Sequence, residues 1–235
     1  MSWYSQNEDF FHDEKQKQAD KAKNSSSIKN WRFRLDKGQI GYIVFLSDLE
    51  FFIKEHQYTS KTSYYNYETC IEGIYGECPL CDNDCNCSPV AIATIIDFTE
   101  RKKKDGTPVG PQKKPIVLKA GGAERFLKRQ KKLEGLKGNK FEVSRSMDQK
   151  GEATGTDVEW EKNVDLEKLK EFAPEGWDKD EWVQPLDLAE IFAPKTPEEL
   201  RKAMGVPDPI GSAESEPDTK EEGSSGGGKS LADMV

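Results

Sequence analysis

The stretch Val90-Ala91-Ile92-Ala93-Thr94-Ile95-Ile96-Asp97-Phe98 decides the fold. From Ala91 to Ile96 it is a nearly continuous apolar run of strand length, rich in β-branched side chains, and such a run suits the central strand of a sheet. Shorter segments of the same character flank it at 31–35, 40–46, 51–56, 64–70, 116–119 and 141–145. In the first of these, Trp31, Phe33 and Leu35 fall on one strand face and Arg32 and Arg34 on the other, because side chains along a strand alternate with a period of two.

One helix stands among the strands. Within 123–133 the positions Phe126, Leu127, Gln130 and Leu133 form a single stripe, while Arg125, Lys128, Arg129, Lys131 and Lys132 crowd the remaining faces. Gly135 and Gly138 supply the C-terminal stop. Many short strands with one inserted helix predict a mainly β fold, a small barrel of the OB type over residues 29–163.

The flanks read differently. Residues 1–28 mix acids, Lys, Gln and Ser and predict a flexible arm or a short helix. Beyond Glu161 the chain turns acidic and helical in pieces. Asp165 is placed to cap one helix, and Thr196-Pro197-Glu198-Glu199 combines a capping Thr, a Pro at the first helical position and a Glu that completes a capping box. An acidic helical extension is expected over 164–205, followed by a disordered acidic tail over 206–235, where Ser, Gly, Glu and Pro dominate.

Charge is divided along the chain. The net charge is -8 over 235 residues. Residues 1–150 hold 26 Lys and Arg against 21 Asp and Glu, a balance of +5, whereas residues 151–235 hold 9 against 22, a balance of -13. A polyanion-binding domain carrying an acidic tail explains this asymmetry, and a merely solvated surface is the bland alternative. The absence of any apolar run of about 18 residues, and of an apolar segment at the N-terminus, leads us to expect an intracellular protein with no membrane partner.

All five cysteines fall between Cys70 and Cys87. In a reducing compartment such crowding favours metal coordination over disulfides. Cys78-Pro79-Leu80-Cys81 is a CxxC knuckle that can turn two thiolates towards one ion. A structural zinc then needs two more ligands. Cys70 and His56, at the ends of two predicted strands joined near Lys61, are brought together if those strands form a hairpin. Cys85 or Cys87 are alternates for the fourth position. Reduced cysteines without metal, and a thioredoxin-like redox motif, are the competing readings; the latter lacks a preceding βαβ pattern.

The order His56, Cys70, Cys78, Cys81 resembles the His-Cys-Cys-x-x-Cys zinc subdomain of the helix-destabilising, single-stranded DNA-binding proteins of T4-like phages. The longer stretch through Tyr67-Glu68-Thr69-Cys70 and Cys78-Pro79-Leu80-Cys81-Asp82 to Ile95-Ile96-Asp97 is similar to the shorter DNA-binding proteins of many tailed phages. The likeness covers roughly residues 30–160. It implies an OB-fold with a zinc-stapled insertion at about 54–90, coating of single strands in replication, recombination and repair, and self-association along DNA. It also implies an acidic tail that contacts phage or host replication and recombination proteins, in the cytoplasm of an infected bacterium. The thiols of Cys85 and Cys87 and the weakly charged N-terminal arm depart from that pattern.

Sequence-independent binding of an unpaired strand requires rings for the bases and cations for the phosphates. The candidate rings are Trp31, Tyr58, Tyr64, Tyr65 and Tyr67; Tyr64, Tyr65 and Tyr67 cannot all face inward from one strand. Phe33, Tyr42 and Phe45 are further ring candidates, and Trp31, Phe33 and Phe45 suit a core better. The candidate cations are Arg101, Lys102, Lys103 and Lys104, in a hairpin turning at Asp105-Gly106, then Lys113 and Lys114, with Arg32, Arg34 and Lys54. The apolar cluster containing Leu231, Asp233, Met234 and Val235 is a candidate docking peptide. No catalytic constellation is expected, since His12 and His56 are the two histidines and His56 is assigned to the metal. The alternative to a strand binder is a zinc-dependent protein adaptor or a transcription or anti-host factor with no aromatic groove.

Overall fold

The computed structural model describes residues 32–60, 63–102, 105–147 and 153–205. The expected arm at 1–28, the tail at 206–235, and Trp31, Lys103 and Lys104 lie outside the described residues. The elements, in order, are β1 (Ile40–Phe45), β2 (Phe51–Ser60), β3 (Ser63–Thr69), α1 (Glu72–Tyr75), α2 (Pro79–Asp82), β4 (Asn86–Asp97), β5 (Arg101–Lys102), β6 (Pro108–Val109) and β7 (Gln112–Lys119). There follow α3 (Ala120–Leu133), β8 (Asn139–Ser144), β9 (Asp157–Asn163), α4 (Leu166–Leu169), a 3-10 turn at Lys170–Phe172, α5 (Lys179–Trp182), α6 (Leu188–Ile191) and α7 (Pro197–Met204).

The fold is a mainly antiparallel sheet with a few helices, and β4 is its central strand. One edge of β4 pairs with β7, in a register that sets Ala91 against Leu118 and Ile95 against Lys114. The other edge pairs first with β2, where His56 faces Cys87, and then with β1, where Phe45 faces Ile95. A strand has only two edges, so β1 and β2 lie end to end. The link between them is folded onto β4 by Leu46 N–H to Thr94 C=O at 2.8 Å and Thr94 N–H to the Ser47 hydroxyl at 3.0 Å. From β1 the sheet continues through β8 to β9, and from β2 to β3.

The strand pairings describe a sheet and not a closed ring, which corrects the closed barrel expected from the strand count. Residues 33–35, expected as a strand, form no ladder. They cross between elements instead: Phe33 N–H donates to Pro115 C=O at 3.0 Å, Leu35 N–H donates to Ala153 C=O at 2.6 Å, and the Arg145 guanidinium holds Leu35 C=O at 2.7 Å. Their alternation is as read, with Phe33 and Leu35 buried and Arg34 exposed.

Two apolar layers explain the unbroken run in β4. On one face Ala91, Ala93 and Ile95 join Ile43, Phe45, Ile116, Leu118 and Phe141, roofed by Phe126 of α3. Its ring lies 5.1 Å from Phe45 and 5.5 Å from Phe141, the latter edge to face. On the other face lies the C-terminal extension, which the sequence presented only as acidic helical pieces. Trp182 and Val183 pack with Val44, Leu46 and Ile96, Leu186 N–H bonds the Thr94 hydroxyl at 3.1 Å, and Phe192 packs with Val90 and Ile92. The extension thus runs along β4 as a strap and ends with Leu200 in the cluster around Cys78. Several of its acids are helix caps: Asp165, Asp178 and Asp187 each accept first-turn N–H groups, and Thr196 with Glu199 forms the capping box read from the sequence. No described helix is long and apolar enough to cross a membrane.

Candidate metal centre and nucleic-acid interface

The β2–β3 hairpin carries the first two ligands. His56 sits on β2, and Cys70 follows the last residue of β3, tied down by Cys70 N–H to Lys54 C=O at 2.8 Å. Cys78 and Cys81 flank the first turn of α2, where Pro79 occupies a first-turn position that needs no N–H partner. The ligand atoms of His56, Cys70, Cys78 and Cys81 all lie within 4.8 Å of one another and can hold a metal ion. His56 Nε2 is 3.3 Å from Cys81 Sγ and 3.5 Å from Cys78 Sγ, and Cys70 Sγ is 3.7 Å from Cys81 Sγ.

The surroundings favour coordination. His56 is fully buried, and its Nδ1 lies 3.1 Å from the Cys85 carbonyl. A carbonyl only accepts, so Nδ1 carries the proton and Nε2 turns its lone pair towards the thiols. Burial opposes ionisation of Cys78, yet hydrogen bonds from the backbone of Ile71, Cys81 and Leu80 outweigh it and lower its pKa. Burial, with Cys70 and Cys78 alongside, pushes the Cys81 thiol well up. The alternates stand outside the four-residue cluster: Cys85 offers its carbonyl to His56, and Cys87 is exposed across the ladder from His56.

Three separately predicted cationic and aromatic features converge on one surface. Arg34 donates to the Tyr67 hydroxyl at 2.7 Å, and the Arg32 guanidinium lies 4.7 Å from the centre of the same ring. Arg101, in the β5–β6 hairpin, donates to the Arg34 carbonyl at 2.7 Å and pairs with Asp97 at 3.2 Å, so it anchors the hairpin to the segment. Segment 32–34 therefore lies between β3 and the hairpin that carries Arg101 and the exposed Lys102. The turn of that hairpin is the one expected, with Gly106 at φ +85°.

No protein-family model matches the chain, and the search of curated proteins finds no match.

Other candidates are placed elsewhere. Tyr58 is 8 % exposed and packs against Ile71, Cys78 and Leu80, so its ring supports the metal knuckle and is not free to stack on a base. Lys114 is 5 % exposed and pairs with Asp97 at 3.3 Å, and burial lowers its pKa. Lys113 donates to the carbonyls of Glu181 and Gln184, closing the end of α5, and lies 5.3 Å from the Trp177 ring. Both lysines serve the fold where phosphate contacts were expected. Arg32 is committed in two-pronged fashion to Glu55 at 2.7 and 2.9 Å. Lys54 is exposed on β2, beside the exposed ring of Phe52. Tyr64 and Tyr65 belong to β3, but their side chains lie outside what is described, as do Leu231, Asp233, Met234 and Val235.

Sequence reading missed Phe192, which stacks 5.2 Å from the Arg32 guanidinium and 6.2 Å from Phe51. Its one signal is an aromatic residue isolated in an acidic stretch.

Proposed function

We propose that the chain is a non-enzymatic, single-stranded DNA-binding protein with a structural zinc, akin to the phage proteins it resembles. The observation that carries the reading is the convergence of Arg34, Tyr67 and Arg101. An exposed cation, a ring on a sheet edge and a basic hairpin together supply what an unpaired strand needs, and each stacked base contributes about 1 to 3 kcal/mol. Segment 33–35 bridges β7 and residue 153 by single hydrogen bonds, which supports reading the open sheet as an OB-like one.

The donor set supports zinc. For Zn–S bonds of about 2.3 Å a tetrahedron has S···S edges of about 3.7 Å and slightly shorter S···N edges; three of the six edges, at 3.7 Å and 3.3 to 3.5 Å, match, and all six lie within 4.8 Å. Cys70, Cys78, Cys81 and His56 Nε2 would hold it, leaving no position for water, and its chemistry there is structural. Held there it would tie the hairpin to α2, where Leu80 packs with Leu200 of the strap. The acidic tail is proposed to dock replication and recombination partners.

The test is a fluorescence titration with an oligothymidine and with a matched duplex, at two salt concentrations. Preferential, salt-sensitive binding of the single strand supports the reading, and equal affinity for both forms or none for either removes it. A second reading, a zinc-dependent protein adaptor, is favoured by Ile74 and Tyr75 of α1, which are 59 % and 48 % exposed on the metal knuckle. Ile74→Ser with Tyr75→Ser would abolish partner capture under that reading and leave oligothymidine affinity unchanged under ours.

A further inference from the structure

The strand-binding surface accounts for segment 32–34, β3 and the β5–β6 hairpin, but not for the most concentrated positive charge on the described chain. Arg125, Lys128, Arg129 and Lys132 stand at helical spacings of three and four along α3, so they share one face of the helix. Together with Val158 of β9 they line a groove of about 330 Å³.

This groove is built and not merely solvated. The Arg125 guanidinium donates to Gly155 C=O at 3.1 Å, and Arg129 donates to Val158 C=O at 2.7 Å. Each bond fixes the guanidinium against the backbone of the 155–158 segment. Gly155 is at φ +108°, and a Cβ there would meet Val143 Cγ1 at 2.1 Å, so only glycine presents that carbonyl to Arg125. Lys128 and Lys132 are exposed at the rim. Among the described residues, Asp157 and Glu159 alternate to the opposite strand face from Val158, and Glu124 lines a different groove with Phe52 and Leu127.

The groove also adjoins the first site through one short piece of chain. Leu35 is hydrogen-bonded to Ala153, two residues before the Gly155 carbonyl that holds Arg125. We infer that the α3 groove is a second phosphate-binding track, which takes the phosphodiester backbone of a nucleic-acid strand where it runs past the Arg34–Tyr67 surface. The inference rests on the reading of that surface given above. The ligand is recognised by charge and not by bases, because the described lining offers no aromatic ring.

A track beyond the first site is engaged only by a strand long enough to reach it, and a single OB-type site covers roughly 4 to 16 nucleotides. The experiment therefore titrates the full chain and its Lys128→Ala/Lys132→Ala variant with oligothymidines of about 8 and about 30 nucleotides, over a range of salt. The variant keeps Arg125 and Arg129, and with them the bonds to residues 155 and 158; an unchanged thermal midpoint verifies the fold. The expected result is a five- to tenfold loss of affinity for the long oligomer at low salt, with the salt slope reduced by about 1.4, for two phosphates at about 0.7 each. The short oligomer is expected to bind as before. An unchanged long-oligomer affinity, or an equal loss for both lengths, overturns the track while leaving the first site standing. Failure of the unaltered protein to bind either oligomer overturns the reading of the first site, and this inference with it.

Discussion

Arg34 donates a hydrogen bond to the hydroxyl of Tyr67 at 2.7 Å across a sequence separation of 33 residues. The contact joins the segment that crosses from β7 towards residue 153 to the hairpin that carries two of the candidate metal ligands.

The first prediction separates ring from hydroxyl. Tyr67→Ala should weaken oligothymidine binding by about tenfold to a hundredfold, the worth of one stacked base. Tyr67→Phe keeps the ring and loses one hydrogen bond, so it should cost less than about tenfold. Equal losses in fluorescence titrations would mean that the hydroxyl matters and the ring does not.

The metal supplies the second. The protein as purified should hold one zinc per chain by elemental analysis, and Cys85→Ser and Cys87→Ser should keep it. Cys78→Ser and His56→Ala should lose it and lower the thermal midpoint sharply, since a structural zinc contributes on the order of 10 kcal/mol to folding. Retention of a full equivalent in Cys78→Ser would show that the ligand set is wrong.

The third concerns Asp97, which is 3 % exposed and holds both Lys114 at 3.3 Å and Arg101 at 3.2 Å. Asp97→Asn leaves a buried ammonium without its carboxylate and should destabilise by about 3 to 5 kcal/mol in urea unfolding at pH 7. Burial holds the Lys114 pKa below 10.5, so the folded state releases this proton before the unfolded chain does. The resulting penalty is fully present below the folded pKa and is relieved as pH rises towards 10.5. Asp97→Asn removes the attraction that opposes the shift, so it should recover stability from a lower pH than the parent. A urea midpoint that falls with rising pH in the variant would contradict this sign.

The strap gives the fourth. Trp182 is 1 % exposed against Val44, Leu46 and Ile96, and Trp182→Ala should cost about 3 to 5 kcal/mol in urea unfolding. Leu200→Ala should cost about 2 to 5 kcal/mol and weaken zinc retention in a chelator competition, because Leu200 packs on the knuckle that carries Cys78. Unchanged metal retention in that variant would separate the strap from the metal site.

The sheet was legible where one physical rule governs. Apolar runs located β1, β2, β4 and β8, and the CxxC spacing with the hairpin assembled His56, Cys70, Cys78 and Cys81. The capping signals at Asp165 and Thr196 acted locally and were read correctly. What could not be read depends on long-range packing. β4 is apolar on both faces because the strap covers it, yet Trp182, Phe192 and Leu200 show no periodicity that points to a sheet. Lys113 and Lys114 look like a basic run, but β7 buries one beside Asp97 and turns the other to the end of α5. Charge runs reveal composition, and only the register of the strand decides which cations meet solvent.

The most direct test of the central claim maps amide shifts in isotope-labelled protein as an oligothymidine is added. Perturbations are expected to concentrate at residues 32–35, 66–68 and 100–109. Perturbations confined to the β1–β8 surface around Tyr42 and Glu142, with those three segments unmoved, would contradict that claim.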